Sequence, residues 1–192
     1  MRKSMPWLVV AAILVILVIG VFSSYNGFVN AEENVNQSYS QIQNQLQRRM
    51  DLIPNLVNTV KGYALHEKAV IDDISKARAQ LAGAKTPADQ AAANDQLNTA
   101  LSRLMVVVEN YPDLKANQNY TQLMDELAGT ENRLAVARQD YNSAVATYNK
   151  KVKRMPGAII ANLFGFHEKE YFKAETSANE APKVDFGNSS GQ

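Results

Sequence analysis

The chain has 192 residues, no cysteine and a formal net charge of +1 that hides no block of either sign. Such a charge gives no basis for neutralising nucleic-acid phosphates. The missing thiols exclude disulfides, thiolate metal sites and thiol nucleophiles, and leave the redox compartment open. The length suits one domain with appendages and a real core.

Arg2 and Lys3 precede an apolar run from Trp7 to Phe22, with no charge from Ser4 to Ala31. At about 1.5 Å per residue the strongly apolar part rises roughly 24 Å, and Ser23 to Phe28 extend it to bilayer thickness. A cleaved export signal, cut after Val29-Asn30-Ala31, is the competing reading. The run is longer than an ordinary signal core, which favours a retained anchor over residues 7–28, after a short cytoplasmic stretch, 1–6. Trp7, Leu8, Ile13, Leu17 and Phe22 are its bilayer-facing candidates. Glu32 and Glu33 follow, and no further Lys or Arg occurs until Arg48. The cationic Arg2 and Lys3 therefore place the amino terminus in the cytoplasm and the remainder outside the cell (inner) membrane.

From Tyr39 to Leu81 the apolar residues form three lines at heptad spacing. One runs Tyr39, Leu46, Ile53, Val60, Glu67, Ile74 and Leu81; another runs Ile42, Arg49, Leu56, Tyr63, Val70 and Ala77. Met50, Val57, Ala64 and Ile71 lie beside them. The stripe is broader than a two-line coiled-coil seam and requires cover. Tyr39, Ile42, Leu46, Ile53, Leu56 and Val60 are the candidates for helix packing or self-association. The pattern predicts one helix from about Asn34 to Leu81 or Ala82, stopped by Gly83 and kinked or broken near Asp51 by Pro54. Arg49 and Glu67 interrupt the apolar lines. The plain expectation is that both sit at the bundle edge with their heads in water; the alternative is a buried pair that sets register, with Glu131 and Arg138 as cross-helix partners.

Thr86-Pro87-Ala88-Asp89 marks a second helix start, with Thr86 as N-cap and Pro87 in the first turn. Leu97, Ala100, Leu101, Leu104, Met105 and Val108 repeat at three and four, and Val106 and Val107 make its end apolar on several sides, as an inner helix would be. It ends at Tyr111-Pro112-Asp113. A third helix, from between Leu114 and Asn119 to about Arg154, carries Tyr120, Leu127, Leu134, Tyr141, Tyr148 and Met155 seven apart. Lys150, Lys151, Lys153 and Arg154 at its end complement the helix dipole, in preference to an anionic-lipid contact. Met155-Pro156-Gly157 breaks it. The following segment is too apolar for a free tail: it caps the bundle, or it touches a membrane or partner through Phe164, Phe166, Tyr171 and Phe172. Residues 174–192 read as a loose polar tail, Val184 and Phe186 apart.

The blocks QLQRRMDLIPNLVNTVKGYALHEK (Gln45–Lys68), ENYPDLKANQNYTQLMDELAGTENRLAVARQDYN (Glu109–Asn142) and YNKKVKRMPGAIIANLFGFHEKEYF (Tyr148–Phe172) resemble, in order and spacing, the signature blocks of the LemA family. The resemblance implies an anchored, largely extracytoplasmic bacterial protein with an antiparallel bundle of four helices. It implies no settled activity. Met50 and Met155 stand where many relatives are expected to carry an aromatic, a change that an adaptable core absorbs.

The expected fold is all-α: a transmembrane helix followed by a long antiparallel three- to four-helix bundle over residues 32–173. No catalytic motif accompanies it. Tyr63 and Phe164 stand three residues before His66 and His167, so no Glu-x-x-His pair forms, and neither His-Glu begins a His-Glu-x-x-His motif. Gly-rich phosphate loops and nucleophile elbows are also missing from the sequence. Asp72-Asp73 and Asp125-Glu126 read as solvated faces. The expectation is a protein with no enzymatic activity, metal or cofactor, whose partners are the bilayer, copies of itself as a homo-oligomer, or another envelope protein. Its roles would be envelope scaffold or membrane organiser, with a monomeric adaptor or sensor as the alternative. Helix lengths sharpen the choice: the second helix is too short to cover the first alone, so either Pro54 folds the first helix or part of its stripe is left to another subunit.

Overall fold

The computed structural model describes residues 5–64 and 66–173; the topology residues Arg2 and Lys3 and the tail, 174–192, lie outside the described residues. Helix α1 (Met5–Lys61) is followed by α2 (Lys68–Gly83), α3 (Pro87–Val108), the short α4 (Pro112–Lys115), α5 (Gln118–Lys153) and α6 (Gly157–Phe164). All the described regular structure is helical.

Helix α1 is one unbroken element of 57 residues, rising about 85 Å from the apolar segment into the bundle. Its first part, from Trp7, is long and apolar enough to cross a membrane. Trp7, Leu8, Ile13, Leu17 and Phe22 are all exposed along it.

Pro54 neither breaks α1 nor ends it. Proline supplies no N–H, so the carbonyl four residues earlier, that of Met50, loses its helical donor. The Arg78 guanidinium on α2 fills the vacancy, donating from Nε to the Met50 oxygen at 2.9 Å. The expected interruption near Asp51 falls instead between Gly62 and Glu67. There the Tyr63 and Ala64 amides both donate to the Val60 carbonyl and close the helix. A basic Lys61 followed by Gly62 was the sequence signal for this end. The long helix expected from Asn34 to Leu81 is therefore two helices, the first fused to the apolar segment.

Beyond the turn, α2 runs back along α1, α3 returns beside α2, and α5 descends antiparallel to α1. Arg78 to Met50, Arg103 to Asp73 and Arg48 to Glu126 mark these pairings. The result is an up-down-up-down four-helix layer of α1, α2, α3 and α5. Thr86 caps α3 by accepting from the Asp89 amide at 3.1 Å, and Asn117 caps α5 by accepting from the Tyr120 amide at 3.1 Å. Leu97, Ala100, Leu101, Leu104 and Val108 enter the core from α3. Met105 and Val106 do not: Val106 is 72 % exposed, so the end of α3 is an outer helix rather than the inner one its composition predicts.

The α1 stripe is covered within the chain. Ile42, Leu46, Ile53, Leu56 and Val60 are buried, and Tyr39 packs at the core's margin, where its ring meets that of Tyr141. The helix α5 residues Tyr120, Leu127, Leu134, Tyr141 and Tyr148 face them, whereas Met155 lies past the helix end, exposed. From Tyr39 to Val60 the stripe is covered by α2, α3 and α5, which share the cover that α3 alone could not supply, while Tyr63 past the helix end is exposed.

Candidate functional site: the polar layer, the strap and the end nearest the apolar helix

Three features stand apart from ordinary packing. The first is a polar layer at mid-bundle. Arg49 is 2 % exposed. It donates to the side-chain oxygens of Asn94 at 2.9 Å and Asn98 at 2.7 Å, and forms an ion pair with Glu131 of α5. The edge position expected for Arg49 is thus overturned, and Glu131 is its cross-helix partner: with α3 on one side and α5 on the other, the guanidinium has no route to water. Burial foremost, and then the neighbouring Arg138 charge, pull its pKa down to about 10, with Asp95 acting the other way. The group still carries its proton at neutral pH. Glu67 takes a different partner, accepting from the Tyr111 hydroxyl at 3.0 Å. Arg138, also lowered by burial, lies over the Phe172 ring at 4.8 Å.

The second feature is a strap. After α6 the chain turns at Gly165, whose φ of 78° is the left-handed value that glycine adopts without strain. It then runs extended up the groove between α1 and α5. Asn149 grips Lys169 through both its backbone groups, at 2.8 and 2.9 Å, and Asn142 grips Phe172 in the same way, at 2.9 Å each. The Tyr141 hydroxyl donates to the Glu170 carbonyl at 2.8 Å. Lys169 pairs with Glu32 at 2.6 Å, and Glu168 pairs with Lys153 at 2.7 Å. An extended segment has no internal ladder, so these side chains satisfy its peptide groups. Sequence reasoning missed both asparagines; polar residues seven apart, beside the heptad tyrosines 141 and 148, were the signal.

The third is the end of the bundle nearest the apolar part of α1. Helix α6 buries Ile160 and Ala161 and packs against α1 and α5. Tyr25 meets the rings of Phe164 at 5.0 Å and Phe166 at 5.7 Å, while Phe28 stacks on Phe166 at 5.0 Å and meets Tyr148 edge-on at 6.5 Å. A Cβ at Gly157 would lie 2.6 Å from the Lys151 carbonyl oxygen, so only glycine permits this close approach. Of the four aromatic contact candidates, Phe172 is buried, Phe166 is half-buried against the core, and Phe164 and Tyr171 remain exposed. Lys150, Lys151, Arg154 and Met155 line an open cleft of about 480 Å³ with Ser23, Ser24 and Gly27.

These features bring together no nucleophile with a base. Among the described residues no group of three or more His, Asp or Glu side chains converges, and His66 and His167 are both exposed. Tyr141 is engaged by a backbone carbonyl and Tyr148 is enclosed by the core. The chemistry here is that of holding segments in register.

The fold and these features define a class: an antiparallel helical bundle carried on an apolar helix that is long enough to cross a membrane. More particularly, the chain belongs to the LemA family, whose model matches residues 38–186. It is similar to magnetosome protein MamQ 2 of Paramagnetospirillum magneticum, 30 % identical, the match covering 91 % of this chain and 76 % of the relative. It is also similar to magnetosome protein MamQ of Magnetospirillum gryphiswaldense, at 28 % identity over 89 % of this chain and 72 % of the relative. Protein LemA of Metamycoplasma hominis is 23 % identical, over 88 % and 78 %.

Proposed function

We propose that this protein is a non-enzymatic envelope scaffold: a rigid post, anchored once in the inner membrane, that gathers copies of itself laterally at the outer face. The observation that carries this reading is the continuity of α1 from Met5 to Lys61. With no linker between the apolar segment and the bundle, the bundle is held at a set height and angle, and confinement in the bilayer raises its effective concentration. Arg2 and Lys3 before the span, against Glu32 and Glu33 after it, support a cytoplasmic amino terminus. With the stripe from Tyr39 to Val60 consumed internally, lateral contacts fall to exposed apolar side chains such as Met105, Val106 and Val136.

That same burial favours a second reading, a monomeric adaptor or sensor that binds another envelope protein. The mass of the full-length chain in nanodiscs or mild detergent, beside a fragment beginning at Ser23, separates them. A discrete assembly of the full-length chain is the result expected of a scaffold. A monomer in both preparations rules out self-association and leaves the adaptor, to be pursued by crosslinking in cells.

A further inference from the structure

Helix α6 should be amphipathic. It has the bundle on one side and open space on the other, yet beside the polar Asn162 its outward residues are Ile159, Leu163 and Phe164, with Met155 just before it, and Leu163 is 72 % exposed. An apolar outer face on a short surface helix calls for a non-aqueous neighbour.

The neighbour follows from height along α1. Phe164 touches Tyr25, and a Cβ at Gly157 would lie 3.4 Å from the Phe28 ring. Helix α6 is therefore level with the residues directly after the apolar run. Trp7 to Phe22 rise only about 24 Å, less than the roughly 30 Å of a hydrocarbon core, so a span must draw Ser23 to Tyr25 into the boundary region. That brings the outer face of α6 to the level of the lipid headgroups.

The cations lie at the same height. Lys151 donates to the Gly27 carbonyl at 3.0 Å, and Lys153 is paired with Glu168. Lys150 and Arg154 form no ion pair among the described residues, and both line the cleft beside the hydroxyl-bearing Ser23 and Ser24. A basic rim next to an apolar wall suits an anionic phospholipid, with phosphate at the rim and acyl chain along the wall.

We propose that α6 and the cationic end of α5 form an interfacial lipid site, in which Met155, Ile159 and Leu163 enter the headgroup boundary while Lys150 and Arg154 hold the phosphate of an anionic phospholipid. The site rests on the anchor reading above and is independent of self-association.

Trp7 is the single tryptophan of the chain, so it reports on the anchor, and Leu163→Trp in a Trp7→Phe background reports on α6. Both full-length proteins are placed in nanodiscs of phosphatidylcholine with phosphatidylglycerol, containing lipids brominated either near the headgroup or deep in the chain. The expected result is blue-shifted emission from the indole introduced on α6, quenched several-fold more by shallow than by deep bromines. Quenched Trp7 with solvent-like, unquenched emission from the α6 indole overturns the α6 site alone, whereas unquenched Trp7 overturns the anchor itself. Blue-shifted emission that persists in detergent-free, lipid-free protein and is lost on dilution assigns the face to a second copy and also overturns the site. For the rim, Lys150→Gln with Arg154→Gln is expected to lower phosphatidylglycerol retained in native mass spectra at least five-fold, leaving phosphatidylcholine unchanged. Equal retention overturns the phosphate contact. Both positions are exposed, and unchanged helicity checks that the bundle stays folded.

Discussion

Arg49 shows what a single buried charge does in a helical core. It takes up the side-chain oxygens of two α3 asparagines and a carboxylate of α5, which fixes the rotation of α1, α3 and α5 about one point. A shift of α3 or α5 by a residue would strip that guanidinium of part of its partner set in a dry site. Arg49→Ala is expected to destabilise the protein by about 3 kcal/mol, since Glu131 is partly exposed and recovers some solvation. Arg49→Met combined with Glu131→Met should restore most of that loss, and urea unfolding followed by helicity checks both. Alkali acts on other residues of the core. Burial raises the pKa of Tyr39, Tyr120, Tyr141 and Tyr148 above 10.0. The folded state keeps these phenols neutral where the unfolded chain ionises. Their contribution is complete below pH 10 and is lost as pH rises through the folded values. Arg49 has the opposite sign: its lowered value makes the charge a cost below about pH 10, relieved as pH rises above that. The tyrosine contribution by itself makes the melting temperature fall as pH rises above 10, and the Arg49 contribution opposes it. Tyr141→Phe should flatten that slope, as read by thermal melts and phenolate absorbance.

At the scale of elements, Pro54 illustrates a helix breaker overridden by its neighbour. Proline inside a helix costs about 3 kcal/mol, partly through the orphaned carbonyl. Arg78 supplies a charged donor to that carbonyl from α2, so the penalty becomes a contact between helices. Arg78→Ala should destabilise by about 1–2 kcal/mol. In a Pro54→Ala background, where the helix makes its own bond to Met50, the same change should matter less. A double-mutant cycle measures the coupling, and simple additivity would show that Arg78 acts elsewhere. Proline and arginine 24 positions apart give no sequence pattern to read; only the return path of α2 brings them together.

The whole molecule depends on α1 carrying both the apolar segment and a wall of the bundle. The aromatic cluster of Tyr25, Phe28, Tyr148, Phe164 and Phe166 joins the lower end of the bundle to residues of the apolar helix's exit. A soluble fragment beginning at Glu32 therefore loses part of its own core, Phe28 included. It should be less stable by about 3–5 kcal/mol than one beginning at Ser23, with α6 and the strap exchanging amide hydrogens fastest. Equal melting temperatures for the two fragments would show that the cluster adds nothing to the bundle.

The apolar run after Arg2 and Lys3, the heptad lines, the Thr86 cap and the Met155-Pro156-Gly157 break were legible because they are local: propensity, capping and periodicity act within a few turns. From these the all-α class, the apolar helix, the start of α3 and the end of α5 follow from sequence alone. Three outcomes belonged to the tertiary structure: the helix that survives Pro54 and stops at Gly62, the stripe covered by three helices of the same chain, and Arg49 enclosed rather than wetted. Each depends on what lies opposite a residue, and packing partners distant in sequence leave no periodic trace. The strap is the extreme case, because residues 166–172 make no ladder of their own and take their shape from Asn142 and Asn149 on a helix already formed.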